Sequence, residues 1–366
     1  MQFELANAAD EPALRRILRE TPFIGDVSVT LEREPCVHFG NAIEGERSQI
    51  LVARPARGQP IIGMATRTLV DSYVNGAPKR IGYLSQLRIL PSYQARPRTL
   101  QGGYAAMREL HADGAAPFYV TTIIADNEPA RRVLEAGLPG FPTYRYVGDV
   151  MTMLVSTTGA NRGAAPGSVI TAEPQDLDAI IECLERNSGR YQFAPRWTRE
   201  VLLSPSRSRG LRVRDFLIAR RGERVVGCLA CWDQRGFKQT IVRGYSPRLA
   251  LARPVSNLLS PLTGFPKLPA VGRSVSFAYL SHLAIDDDDA GVFIDLLSAA
   301  RRSAVHRGLD HLCIGLSSRH PLASIACARF GTREYRSRAY VVHWDDGAEA
   351  ARALDERPIH LEVAIL

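Results

Sequence analysis

Leu87–Gly103 reads LRILPSYQARPRTLQGG. An apolar strand pattern ends at Pro91, and Arg96 and Arg98 then stand just ahead of a helical pattern that runs on through Leu110. A helix start already presents unpaired N–H groups and the positive end of the helix dipole. Added arginine is unfavourable there unless the turn meets an anion, for which a helix N-terminus is a ready-made site. Strand, proline, basic turn and helix therefore predict an anion-binding turn at residues 94–99.

Outward from this stretch the chain falls into two similar halves. Residues 156–168, STTGANRGAAPGS, are small, Gly-rich and poor in large apolar side chains, as a linker should be. We expect an N-terminal domain over 1–157, a linker over 158–167 and a C-terminal domain over 168–366. The first half reads as a helix at Asp10–Glu20, strands QILVAR and PIIGMATRTLV, an Asn75-Gly76 turn, strand RIGYLSQLRIL, the long helix, strand FYVTTIIA, helix NEPARRVLEAG and a strand pair around Tyr144–Val155. The second half repeats the order, from a helix at Asp176–Arg186 to strands ending in HLEVAIL. Tyr83–Ile89, YLSQLRI, aligns with Tyr279–Ile285, YLSHLAI, and Asn127–Ala130 aligns with His320–Ala323. These matches predict an internal repeat.

At 366 residues and 45% apolar content the chain can bury two cores. Charges interrupt every apolar run before the roughly 18 residues that a membrane span needs, and MQFELANAADEP lacks the basic and apolar regions of a secretory signal. We expect a cytoplasmic protein with no membrane partner. The formal charge of +8 comes almost entirely from arginine, with lysine only at 79, 238 and 267. Those arginines are dispersed and not interleaved with aromatics, so direct nucleic-acid binding is not expected. Cys228 and Cys231 lie three apart in the strand-like VVGCLACW, which points them to opposite faces and argues against a shared metal. No metal is expected.

The mixed strands, the proline-broken central strand, the basic turn and the Asn-x-x-Ala helix together resemble the GNAT acyltransferase superfamily. The resemblance covers most of residues 1–155 and, more weakly, 169–366. It implies a mixed three-layer α/β fold in two tandem domains and an acetyl-CoA cosubstrate. It also implies roles by position. The family's Q/R-x-x-G-x-G/A pyrophosphate turn falls on Gln94, Ala95, Arg96, Pro97, Arg98 and Thr99, with Pro97 and Thr99 at the two small positions. Leu87 and Ile89 would offer backbone groups to the pantetheine arm, and Asn127 would contact the cofactor. Read on its own, Asn127 is equally a helix N-cap. In the second copy Asp286–Asp289 replaces the basic turn. Four carboxylates repel a pyrophosphate, and Leu297, twelve places into a calcium-loop count from Asp286, removes that alternative. The second domain is expected to keep the fold without CoA binding.

The resemblance leaves the catalytic residues unknown. Tyr83–Leu90 contains no carboxylate, and Leu134 stands where the family often has a Tyr seven places after the Asn. Tyr83, Ser85, Gln86, Tyr144 and Tyr146 could relay protons, although packing is the more ordinary role of each. Glu20, Asp26, Glu32 and Glu34 could recognise a cationic amine or simply be solvated. Trp232–Arg235 fits a domain contact or a site, and Pro247–Gly272 is an insertion whose apolar residues need partners. The expected function is transfer of an acetyl group from acetyl-CoA to a primary amine of a small molecule or peptide, with a homodimer left open. The alternative is a non-catalytic acyl-CoA-binding scaffold. A hydrolase is disfavoured because no G-x-S-x-G or metal-ligand motif is present.

Overall fold

Fourteen strands and eleven α-helices make up the described part of the chain in a computed structural model. The described residues are 1–94, 97–158, 160, 169–263, 267–330 and 332–366, with the side chains of 97–98 and 260–263 excepted. The first half contains β1 (Gln2–Leu5), α1 (Glu11–Glu20), β2 (Val27–Glu32), α2 (Val37–Glu44), β3 (Arg47–Arg54), β4 (Gly63–Val74) and β5 (Ala77–Ile89). It continues with α3 (Pro91–Gln94), α4 (Pro97–His111), β6 (Tyr119–Ile124), α5 (Glu128–Leu134) and β7 (Thr143–Ser156). The second half contains β8 (Val169–Thr171), α6 (Leu177–Ser188), α7 (Arg199–Leu203), β9 (Phe216–Arg221), β10 (Arg224–Trp232), β11 (Gln239–Tyr245) and α8 (Pro247–Thr263). It ends with β12 (Phe277–Ile285), α9 (Ala290–His306), β13 (His311–Ser317), α10 (Pro321–Phe330), β14 (Thr332–His343) and α11 (Ala348–Arg352).

Twelve strands form one sheet in the order β1-β3-β4-β5-β6-β14-β7-β13-β12-β10-β9-β8. Exchanging each first-half strand with its second-half counterpart reverses this order onto itself, so the repeat is a pseudo-twofold. The last strands are traded: β14 pairs with β6 of the first half, and β7 pairs with β13 of the second. Period-two alternation predicts that Tyr144–Val155 is extended but is silent about partners. In place of a local strand pair, the whole of Thr143–Ser156 is one strand lying antiparallel to β14.

The two repeats place their helices alike. Tyr104, Met107 and Leu134 of α4 and α5 pack with Leu84, Tyr119 and Tyr340 of the sheet. Phe293, Leu296, Leu297 and Leu322 of α9 and α10 pack with Leu229, Leu280 and Ile314. Cys231 belongs to that cluster, whereas Cys228 lies in another with Cys183 and Trp197, on the opposite side of the strand.

His360–Leu366 differs from its strand-like pattern, ending instead in a 3-10 turn at Val363–Ile365. Its apolar residues Leu361 and Val363 are buried with Tyr83, Val120 and Val341. Side chains meet several of its backbone groups in place of a ladder. Gln234 and Lys238 both donate to the Ala364 carbonyl at 3.0 Å. The acidic first-half segment and the second half meet in a separate ribbon, β2 against β11. Among the described residues no helix is long and apolar enough to cross a membrane.

Candidate functional site

β5 and β6 pair in parallel only at Gly82↔Tyr119 and Tyr83↔Val120, although β5 continues to Ile89 and β6 to Ile124. The close approach at the apex needs glycine, since a Cβ on Gly82 would lie 1.9 Å from the Tyr119 ring. Beyond Tyr83 the strands diverge into a wedge. At its edge β5 carries a bulge. Gln86 has φ of 53°, and pairing with β4 jumps from Ser85↔Thr66 to Arg88↔Met64. Gln86 and Leu87 therefore stand outside the ladder, as an extended ligand between splayed strands requires.

The carboxyl ends of these two parallel strands bring together most of the positions singled out in the sequence. Leu87 is 40% exposed, and Ile89 accepts a 2.9 Å bond from Gln94 Nε2 through its carbonyl. Thr99, in the first turn of α4, is buried, and its hydroxyl finds no partner among the described residues. Asn127 caps α5, its Oδ1 accepting from Ala130 N–H at 3.4 Å. Ala95, Arg96 and the Arg98 side chain lie outside the described residues.

A polar cluster under the bulge escaped sequence reasoning. Glu44, on α2, is almost fully buried. Its Oε1 accepts from Arg33 Nη2 at 2.5 Å and from Gln86 Nε2 at 3.3 Å, and its Oε2 accepts from Ser85 Oγ at 3.0 Å and Thr68 Oγ1 at 3.2 Å. Asn41 Oδ1 accepts from Gln86 at 2.8 Å and also from Arg33. Two buried atoms of the cluster remain without a bond among the described residues, Asn41 Nδ2 and Gln86 Oε1. Such orphans ask for an explanation, because buried polar groups are nearly always paired. Arg88, next along β5, makes no ion pair among the described residues and stacks on Phe23 at 4.5 Å. Burial and the nearby Arg33 charge pull its pKa down to about 10. No sequence signal marked α2, because VHFGNAIE reads as an ordinary short helix; only the fold carries Glu44 to Ser85.

Other candidates have settled roles. Tyr83 is buried in the core beside the C-terminal segment, and Tyr144 shares a 2.6 Å bond with Tyr104. Tyr146 donates to Asp149 at 2.9 Å, and Leu134, the last residue of α5, is buried against the sheet. Glu34 is paired with Arg15 and Arg19 at 2.5 and 2.7 Å, and Glu32 with Arg243. Both charges are already neutralised, while Glu20 and Asp26 are exposed. Trp232 donates to the Arg209 carbonyl from within the core, and Asp233 pairs with Arg235 at 2.8 Å.

The second repeat reproduces the wedge and closes it. β12 and β13 pair from Phe277↔His311 to Tyr279↔Cys313 and then part. His282, the counterpart of Gln86, has φ of 56° at a matching break in register. His320 Nδ1 accepts from Leu322 N–H at 3.1 Å, as Asn127 does for its own helix. Here, however, Asp289 Oδ1 accepts from Gly291 and Val292 N–H at 2.8 and 3.1 Å, taking the donors that a phosphate would use. Asp286 is paired with Arg186 and Arg224, Asp288 with Arg190 and Tyr191, and Asp289 with Arg221. Glu362 Oε2 accepts the bulge N–H of His282 at 2.8 Å, and Val363 presses on Gly315, where a Cβ would meet it at 2.1 Å. The C-terminal segment thus lies against both strands of the second wedge.

No protein-family model matches the chain, and no curated protein matches it in sequence. Solved structures do. N-myristoyltransferase of Saccharomyces cerevisiae with bound myristoyl-CoA superposes with a TM-score of 0.61 at 10% identity, over 93% of this chain and 82% of that one. The GCN5-related glucosamine N-acetyltransferase region of a fungal multi-domain GH3 β-N-acetylglucosaminidase gives 0.58 at 13% identity, over 93% and 38%. A GCN5-related N-acetyltransferase from Sphaerobacter thermophilus gives 0.53 at 14%, over 93% and 94%. At these identities the likeness speaks for architecture alone: the chain has a tandem GNAT-like fold, with two repeats sharing one sheet.

Proposed function

We propose that the protein is an acyl-CoA-dependent N-acyltransferase with one cofactor site per chain, in the first wedge. The observation that carries this reading is the splay of β5 from β6 at the Gln86 bulge, together with buried atoms of Gln86, Asn41 and Thr99 that have no partner among the described residues. The wedge offers main-chain groups to an extended pantetheine arm. Arg96 and Arg98 supply charge to the pyrophosphate at the start of α4. The acyl group is acetyl or a longer chain, and the acceptor is a primary amine of a small molecule or peptide.

In the proposed reaction the free amine attacks the thioester carbonyl carbon, an N–C bond forms, and the C–S bond breaks. One proton leaves the substrate ammonium before attack, and a second passes from the nitrogen to the departing thiolate. Ser85, hydrogen-bonded to Glu44, is the proposed first acceptor of the earlier proton, with the carboxylate behind it. Holding amine and thioester together supplies much of the acceleration.

The 2.5 Å Arg33–Glu44 pair favours a second reading, because the carboxylate that would receive the proton is already engaged by a guanidinium. In that reading the wedge binds acyl-CoA without turnover. Thiol release from acetyl-, octanoyl- and myristoyl-CoA across a panel of amines separates the two. Amine-dependent release supports the enzyme, whereas saturable acyl-CoA binding with no release from any pair supports the scaffold.

A further inference from the structure

We propose that α8 docks the protein on an anionic lipid surface. The helix follows β11, and among the described residues Arg253 and Asn257 fix it along one side. Arg253 Nε and Asn257 Nδ2 donate to the Leu268 carbonyl at 3.2 and 3.0 Å, and Asn257 Oδ1 accepts from Leu268 N–H at 2.7 Å. The opposite side carries Leu251, Val255 and Leu258, which are 84%, 60% and 78% exposed. Spaced four and seven apart, they form a single stripe on the helix. Scattered exposed leucines need no explanation, but an aligned stripe of them marks a binding surface.

Charge selects the occupant. From Gln234 to Ile285 the sequence contains no Asp or Glu, while Arg248, Arg253, Lys267 and Arg273 lie in or around the helix and the loop behind it. Arg248, Lys267 and Arg273 are exposed. Of the acidic residues brought near from β2 and its approach, Glu32 is paired with Arg243, whereas Asp26, whose backbone carbonyl accepts the Ser246 N–H, keeps an exposed carboxylate. An apolar stripe in surroundings where cations outnumber carboxylates is the signature of a helix lying in the plane of a membrane interface, its apolar side among acyl chains and its cations near headgroup phosphates. The sequence-based expectation of no membrane partner rested on the lack of a spanning segment, which such a helix does not need. The anchor is independent of acyl transfer and is tested without CoA.

The test is flotation of the full chain with vesicles of phosphatidylglycerol and phosphatidylcholine, against vesicles of phosphatidylcholine alone. The expected result is binding to the anionic vesicles that falls as salt is raised, at least about tenfold weaker in Leu251→Asp/Leu258→Asp and weakened again by Arg248→Glu/Lys267→Glu. All four side chains are exposed, and unchanged thermal melting of the variants shows that the fold is kept. Failure of the wild type to float with anionic vesicles overturns the proposal, as does equal flotation by the apolar variant. A concentration-dependent dimer that the same substitutions dissolve, with no flotation, also overturns it and makes the stripe a contact between two copies.

Discussion

Two buried groups at the C-terminal segment give the molecule a pH dependence of its own. Burial pushes Glu362 up to about 7 and pulls Lys238, whose Nζ also donates to the Leu366 carbonyl at 3.0 Å, down to about 7. A carboxyl raised on folding binds more protons folded than unfolded between about 4.5 and 7, so its contribution to stability declines as pH rises through that window. Lysine lowered on folding does the reverse between about 7 and 10.5, where stability rises with pH. Chemical denaturation across pH should therefore show a dip near neutrality. Glu362→Gln should remove its acid side, by up to about 3 kcal/mol between the two limits. In the first wedge, Ser85→Ala should lower kcat at least about tenfold and leave acyl-CoA affinity unchanged, as expected of a group that moves a proton. Steady-state kinetics with a calorimetric titration checks both halves of that statement. Ser85 and Gln86 were visible in the sequence as polar residues in an apolar strand. Glu44 was not, because its meaning comes from neighbours that are 41 and 42 residues away.

Among the elements, the repeat is where sequence and structure agree most closely. YLSQL and YLSHL share their spelling because both fold into the same bulge, with positive φ at Gln86 and at His282. The helix start with its asparagine or histidine cap is likewise shared. The terminal segment HLEVAIL read as a strand because its apolar residues alternate. It is a plug, since both sides of it are buried and its polar groups are taken by Gln234, Lys238 and the His282 amide. No local pattern distinguishes those cases. Gly315 marks where the plug meets β13. Gly315→Ala should collide with Val363 and destabilise the protein by about 1–3 kcal/mol, the usual penalty of overpacking, read as a lowered melting temperature.

For the whole molecule, the exchange of β7 and β14 ties the repeats into one sheet. Residues 1–157 alone would leave β6 without β14 and β7 without both of its neighbours, β13 and β14. Expressed separately, either half should be insoluble or molten, whereas co-expressed halves should assemble. Urea unfolding of the full chain should give coincident transitions by fluorescence and circular dichroism, the mark of one cooperative unit. The sequence announced the duplication but not the trade of strands, because two edges of equal hydrophobicity compete for each final strand and only the assembled sheet decides between them. The same duplication leads to the proposal of one acyl-CoA per chain, held at the basic turn and refused at the acidic one. Calorimetric titration of the full chain with acyl-CoAs of increasing chain length tests it most directly. The expected result is a stoichiometry of one and a loss of at least about tenfold in affinity for Arg96→Ala/Arg98→Ala, as removal of charge-assisted phosphate bonds implies. Two sites per chain, affinity unchanged by the double substitution, or no binding of any acyl-CoA would contradict it.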